Sequence, residues 1–229
     1  MDASDVRLHL LSVNTQRGMR FRWPHAILVC AVLCALAIAY ADRAIVLALD
    51  SAYRQSPAWR VVDRFFLAVV PLFVFIAIAG AWITFTVRGR RRTTWWAEDL
   101  RTCALVGAVA LILAKVLKVI FGRSGPDFTF VRDGVYEFRW FTGTWTPYHG
   151  AFPSGTTAVM TAMATALWMR RSPFRVAGLV IAATLSIMVV VQQYHWLSDA
   201  IAGAALGAAV SWAVAHALAG RRTAAYTPL

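Results

Sequence analysis

Residues 194–220 read YHWLSDAIAGAALGAAVSWAVAHALAG, a polar opening followed by a long apolar stretch. A membrane-crossing helix needs about 20 mostly apolar residues, and the run from 197 to 219 supplies them. Gly203 and Gly207 recur at the spacing that lets two helices approach closely. Ahead of them, His195 and Asp199 stand four apart and share one helix face. One segment thus carries both a packing surface and an ionisable pair, and the rest of the chain decides what they serve.

Five further apolar runs precede it, at roughly 25–41, 66–87, 100–121, 154–170 and 174–193. With 59% hydrophobic residues and a mean hydropathy of +0.59, the chain is too apolar for an ordinary soluble domain. The pattern predicts an all-α, six-transmembrane helical bundle with little room for a separate soluble domain. Its expected parts are a basic N-terminal tail (1–24), a membrane domain (25–219) with outer loops at 42–65 and 122–152, and a short tail (220–229). Cys30, Cys34 and Cys103 fall inside spans and read as small buried hydrophobes.

The net charge of +12 raises the possibility of a nucleic-acid partner, so the placement of the arginines matters. They crowd the N-terminal tail, the loop at Arg88–Arg92, the loop at Arg170–Arg175 and the C-terminal tail. On the opposite side, arginines such as Arg43, Arg64 and Arg132 are offset by Asp42, Asp63 and Asp133. The positive-inside rule therefore places both termini in the cytoplasm, and the charge reads as topology rather than nucleic-acid binding. AYA at Ala39–Ala41 resembles a signal-peptidase site, but the long basic region and long apolar run favour an uncleaved anchor. Residues 42–65 mix apolar and charged side chains, which predicts an amphipathic helix along the outer interface, broken near Pro57.

Ionisable residues at membrane depth are costly, which makes them functional candidates. Lys115 and Lys118 lie near the outer end of the third run, with Arg123 just after Gly122. Lysines there either snorkel to the headgroups or clamp an anion. His195 next to Asp199 is either an interfacial histidine or a nucleophile, its second ring nitrogen left as an oriented lone pair. Ser154, Gly155 and Thr156 open the fourth run after Pro153, where unpaired helix amides and the helix dipole favour phosphate. The charge-based topology puts all three groups on one face of the membrane. Their joint reading is an anion site facing the outer leaflet.

KVIFGRSGPD, AFPSGTT and YHWLSDAIAG resemble, in order and spacing, the motifs of the type 2 phosphatidic acid phosphatase (PAP2) superfamily. Those motifs are Lys-x(6)-Arg-Pro, Pro-Ser-Gly-His and Ser-Arg-x(5)-His-x(3)-Asp, and the likeness covers about residues 100–210. It implies a metal-free, cofactor-free phosphatase acting on a membrane lipid phosphate of isoprenoid, glycerolipid or lipid A type. His195 would attack phosphorus to give a phosphohistidine, with Asp199 orienting it. Lys118, Arg123, Ser154, Gly155 and Thr156 would bind the phosphate, with Lys115 nearby. The implied location is the inner membrane, with the site facing the periplasm.

Three positions depart from the motifs. Gly125 stands where the first motif has arginine, although Arg123 lies two residues earlier, and Met188 and Val189 replace Ser-Arg. Gln192 and Gln193 are neutral donors near that gap. Thr156 replaces the histidine that protonates the leaving group in the family, and His149, the other histidine of the outer loops, is the catalytic candidate for that role. Two further readings use the same site: a lipid-phosphate binder that has lost turnover, and a phosphotransferase with a lipid acceptor.

Overall fold

The computed structural model describes residues 23–53, 56, 61, 95–142 and 149–224. The run expected at 66–87, the basic loop after it and most of both tails lie outside the described residues. The described secondary structure is helical: α1 (Trp23–Leu36), a π-helical segment (Ala37–Ala41), α2 (Asp42–Tyr53), α3 (Trp95–Phe121), a second π-helical segment (Pro126–Val131), α4 (Gly155–Met169), α5 (Arg175–Val191) and α6 (Leu197–Ala224). The only extended pairing among the described residues is an isolated bridge between Arg123 and Phe138.

Among the described residues, three stretches are long and apolar enough to cross a membrane: His25–Ala52, Trp96–Phe121 and Leu197–Leu218. The first differs from the sequence expectation, which ended the span at 41 and laid 42–65 along the interface. Instead, α1 runs through the π-helical turn directly into α2. Asp42 then lies within the helix, fully buried, rather than on an exposed outer loop. Hydropathy marks an acidic residue as the end of a span, but a carboxylate paired inside the protein does not end one.

The other two described helices are short. At 15 residues α4 is only about 22 Å long, less than the ~30 Å of a bilayer's hydrocarbon core. It is also the central helix, packed against α3, α5 and α6. A short helix is tolerated at membrane depth where protein surrounds its ends. Ala158, Ala162 and Ala166 on α4 meet Val106, Ala110 and Ala114 on α3 and Val210 on α6 in one buried cluster. Ser211 on α6 adds a hydrogen bond to the Ala162 carbonyl at 2.5 Å.

This thin packing explains the glycines of α6. A Cβ on Gly203 would stand 2.5 Å from the Ser154 carbonyl oxygen, and one on Gly207 would strike the backbone of Ala158 and Ala162. Both glycines are therefore structural, as their spacing predicts. Gly207→Ala is expected to destabilise the protein by about 1–3 kcal/mol, since backbone cannot move aside. Gly178→Ala should cost less, because its nearest obstacle is the flexible tip of Leu167 at 2.9 Å. Thermal unfolding midpoints in detergent compare the two, and equal losses would contradict this account.

The ends of the bundle differ in chemistry. At one end Arg170, which caps α4, binds Asp99 at 2.6 Å and Glu98 at 3.2 Å near the start of α3. The other end gathers the C-terminus of α3, the N-termini of α4 and α6, and the loop from Gly122 to Pro153.

Candidate active site

Gly122 stops α3 by adopting a left-handed backbone (φ 48°), which glycine reaches without a Cβ clash. The chain then folds back on itself. Ser124 N donates to Glu137 O (3.1 Å), Arg139 N to Gly122 O (3.1 Å) and Ala151 N to Arg123 O (3.1 Å). The rings of Phe130, Tyr136 and Trp196 pack edge to face at 4.7–6.0 Å between centroids. Trp196 is fully buried, its indole N–H bonded to Ser124 O at 2.7 Å. An aromatic wedge thus locks the loop against the start of α6.

The cradle comes next. Ser154 caps α4, its Oγ accepting from Thr157 N at 3.4 Å. Its own N–H donates to the Asp199 carbonyl at 3.0 Å. The mouth of α4 is therefore tied to the first turn of α6 through backbone. The next amides, of Gly155 and Thr156, belong to the first turn, whose N–H groups have no partner inside the helix. Thr156 is half-buried at this mouth.

Lys118, on the last turn of α3, hydrogen-bonds the Gly150 carbonyl. Its Cε lies 4.0 Å from where a Cβ on Gly155 would be, so the ammonium group sits beside the cradle. Lys115, one turn earlier, is within electrostatic reach of Lys118. His195 lies beside these groups, its ring against the Ala151 backbone and within the field of Lys118. Its Nδ1 is 3.5 Å from Asp199 Oδ2, too long for a made hydrogen bond but within a small ring rotation of one. That Nδ1 has no hydrogen-bond partner among the described residues. Burial, and then the Lys118 charge, push the His195 pKa below its ordinary 6.5, leaving a neutral ring at pH 7.

Arg123, an expected phosphate ligand, and Gln193, a neutral donor near the third-motif gap, are placed differently. Arg123 is 1% exposed, and both of its terminal nitrogens are taken. One bonds Asp199 and Ser198 Oγ (2.6 Å), the other Asp42 (2.7 Å) and the Tyr136 hydroxyl (3.0 Å). Its guanidinium carbon also sits 4.8–5.3 Å from the ring centres of Phe138, Tyr136 and Trp196. Burial alone would lower its pKa, but Asp199 and Asp42 outweigh burial and raise it. The expectation that Arg123 clamps phosphate is at odds with this placement, because both terminal nitrogens are bonded to protein groups. Gln193 is likewise engaged: in a left-handed backbone (φ 61°), its side-chain amide donates to Val46 O at 3.0 Å. Gln192 differs, being buried with neither amide atom bonded among the described residues.

The segment holding His149 does reach the site, since Gly150 takes Lys118 and Ala151 lies against His195. The His149 Nδ1 is buried without a hydrogen-bond partner among the described residues. Among the described residues, no three His, Cys, Asp or Glu side chains are grouped to hold a metal ion. The residues that sequence reasoning missed are Asp42, Tyr136 and Ser198. Only Asp42 left a signal, an acidic residue directly after an apolar run.

Known proteins carry this arrangement further. The chain is 31% identical over 143 residues to the lipid A 1-phosphatase of Porphyromonas gingivalis. That match covers 61% of this chain, and the chain spans 27% of the length of that relative. The fold resembles the crystal structure of a transmembrane PAP2-type phosphatidylglycerolphosphate phosphatase from Bacillus subtilis, with a TM-score of 0.55. That likeness covers 90% of this chain and 97% of the other at 21% identity. The sequence profile of the PAP2 superfamily matches residues 99–223, which takes in Lys118, the Ser154 cradle and the His195–Asp199 pair, and the chain belongs to that superfamily.

Proposed function

We propose that this protein is a membrane lipid-phosphate phosphatase working through a phosphohistidine on His195. The observation that carries the reading is convergence: His195, the Lys118 ammonium and the mouth of α4 are held together by the Gly150–Ala151 segment and the Ser154–Asp199 backbone bond. With Nδ1 turned toward Asp199, the Nε2 lone pair of the neutral ring attacks phosphorus. The bond from phosphorus to the leaving oxygen breaks as the new P–N bond forms. Lys118 and the first amides of α4 stabilise the equatorial oxygens. Water then attacks phosphorus, the P–N bond breaks, and inorganic phosphate leaves with the imidazole restored.

The relatives support lipid phosphates as the substrate class, since their names specify lipid A and phosphatidylglycerolphosphate. Phosphate release by purified protein from a panel of isoprenoid, glycerolipid and lipid A mono- and diphosphates tests the function. Vanadate binding without turnover of any member would replace the enzyme by a binder. Transfer of label to an added lipid alcohol in place of water would make it a phosphotransferase.

The charge distribution supports an inner-membrane protein with cytoplasmic termini and a periplasmic site. In a variant lacking native cysteines, an impermeant thiol reagent added outside should label Asp133→Cys, an exposed position in the loop, and spare Arg91→Cys. The opposite pattern would invert the topology.

A further inference from the structure

The strongest feature not used by this chemistry is the buried charge cluster behind it. Asp42, from the helix that begins the membrane domain, is fully buried. Its Oδ1 accepts from Ser198 N at 3.0 Å, and its Oδ2 accepts from Ser198 Oγ at 2.6 Å and Arg123 at 2.7 Å. The Tyr136 hydroxyl, 3.3 Å from Oδ2, also bonds Ile38 O at 3.0 Å. Arg123 therefore stands between two carboxylates, Asp42 on one side and Asp199 on the other. Asp199 in turn has one oxygen on Arg123 and the other shared between Trp196 N (3.0 Å) and the neighbourhood of His195 Nδ1 (3.5 Å).

We infer that Asp42 and Arg123 are positioning residues, which act through Asp199 to set the orientation and basicity of His195. The inference rests on the phosphohistidine reading. A guanidinium with a single buried carboxylate partner would draw that partner fully onto itself. Asp42 divides its attention. With the second carboxylate present, Asp199 keeps one oxygen turned toward the imidazole. The charges facing His195 are then Lys118 from α3 and Asp199 from α6, with Arg123 and Asp42 behind Asp199. Removing the Asp42 charge leaves Arg123 pulling on Asp199 alone. His195 loses part of its orienting acceptor and becomes harder to protonate. Charge and position both matter, so a merely space-filling Asp42 would behave differently.

The test uses the purified full-length protein in detergent, with farnesyl diphosphate as substrate. Asp42→Asn should lower kcat on the order of tenfold, as loss of outer-shell support does elsewhere, with KM changed less than about threefold. The acidic limb of its pH profile should move to lower pH by on the order of half a unit. Arg123→Lys should also act on kcat. Carbethoxylation of the His195 peptide by diethyl pyrocarbonate, followed against pH by mass spectrometry, reads the same shift without any substrate. Asp42→Glu should recover part of the loss. If Asp42→Asn fails to fold, Ser198→Ala removes one hydroxyl bridging Asp42 and Arg123 and should show the same shift in smaller measure.

Unchanged kcat and an unmoved carbethoxylation profile, with His195→Ala inactive, would overturn the positioning role and leave the phosphohistidine intact. A rise in KM alone in Arg123→Lys would overturn it in favour of a direct phosphate contact. An active His195→Ala would overturn both.

Discussion

Replacing His195 by alanine should abolish phosphate release, by a factor on the order of 10⁴ or more, while the protein stays monodisperse in detergent. Losing a covalent nucleophile has effects of this size in enzymes dissected residue by residue. The ring is only partly exposed and rests against backbone, so its loss leaves a small space at the rim rather than a hole in the core. Asp199→Asn is a different case. Its loss of orientation should reduce turnover on the order of 10²–10⁴, but it also leaves the buried Arg123 with only Asp42 as counter-charge. Breaking one side of a buried pair costs about 3–5 kcal/mol, so this variant should be less stable as well as slow. The pH dependence follows from His195 itself. In the proposed mechanism the reactive form is the neutral ring, and burial with Lys118 holds its pKa below 6.5. Activity should therefore hold through neutral pH and fall only as the pH drops through that lowered value. Undiminished turnover in His195→Ala would end the covalent mechanism.

The second large effect concerns Thr156. A lipid monophosphate must expel an alkoxide, which needs a proton, whereas a diphosphate expels an already stable phosphate. Threonine carries no exchangeable proton of the right acidity near neutral pH. Native protein should thus prefer farnesyl diphosphate to farnesyl phosphate. Thr156→His, at the half-buried mouth of α4, should raise monophosphate cleavage by on the order of 10²-fold and diphosphate cleavage far less. If His149 already supplies the proton, His149→Ala should cut monophosphate cleavage selectively and Thr156→His should restore it. The orphaned Nδ1 of His149 keeps this second outcome chemically open. No change in either variant would show that this stretch does not protonate the leaving group.

The parts of the molecule readable from sequence are those set by local composition. Apolar run lengths mark the spans of α3 and α6, and the Gly203–Gly207 spacing marks a close helix contact that the backbone of Ser154 and Ala158 fills. Lys118, Ser154 and His195 were legible because each sits at a helix end where an ionisable or capping residue needs an explanation. Arg123 and Asp42 were not, because their meaning lies in a pairing across 81 positions that no local window contains. The same blindness placed Asp42 on the surface and stopped its helix at residue 41. Hydropathy measures what a residue would lose in lipid, and it does not register a partner that arrives from elsewhere in the fold.

The bond from the Ser154 amide to the Asp199 carbonyl has a consequence for how this surface can change over time. It joins two main chains, so it needs no particular side-chain chemistry at 154, proline excepted. The relative placement of anion cradle and histidine is therefore inherited from the course of the backbone and from the absence of side chains at Gly203 and Gly207. Rim positions such as 156 can drift through different chemistries while the scaffold keeps its shape. The threonine at 156 sits where a change of side chain leaves that main-chain scaffold in place.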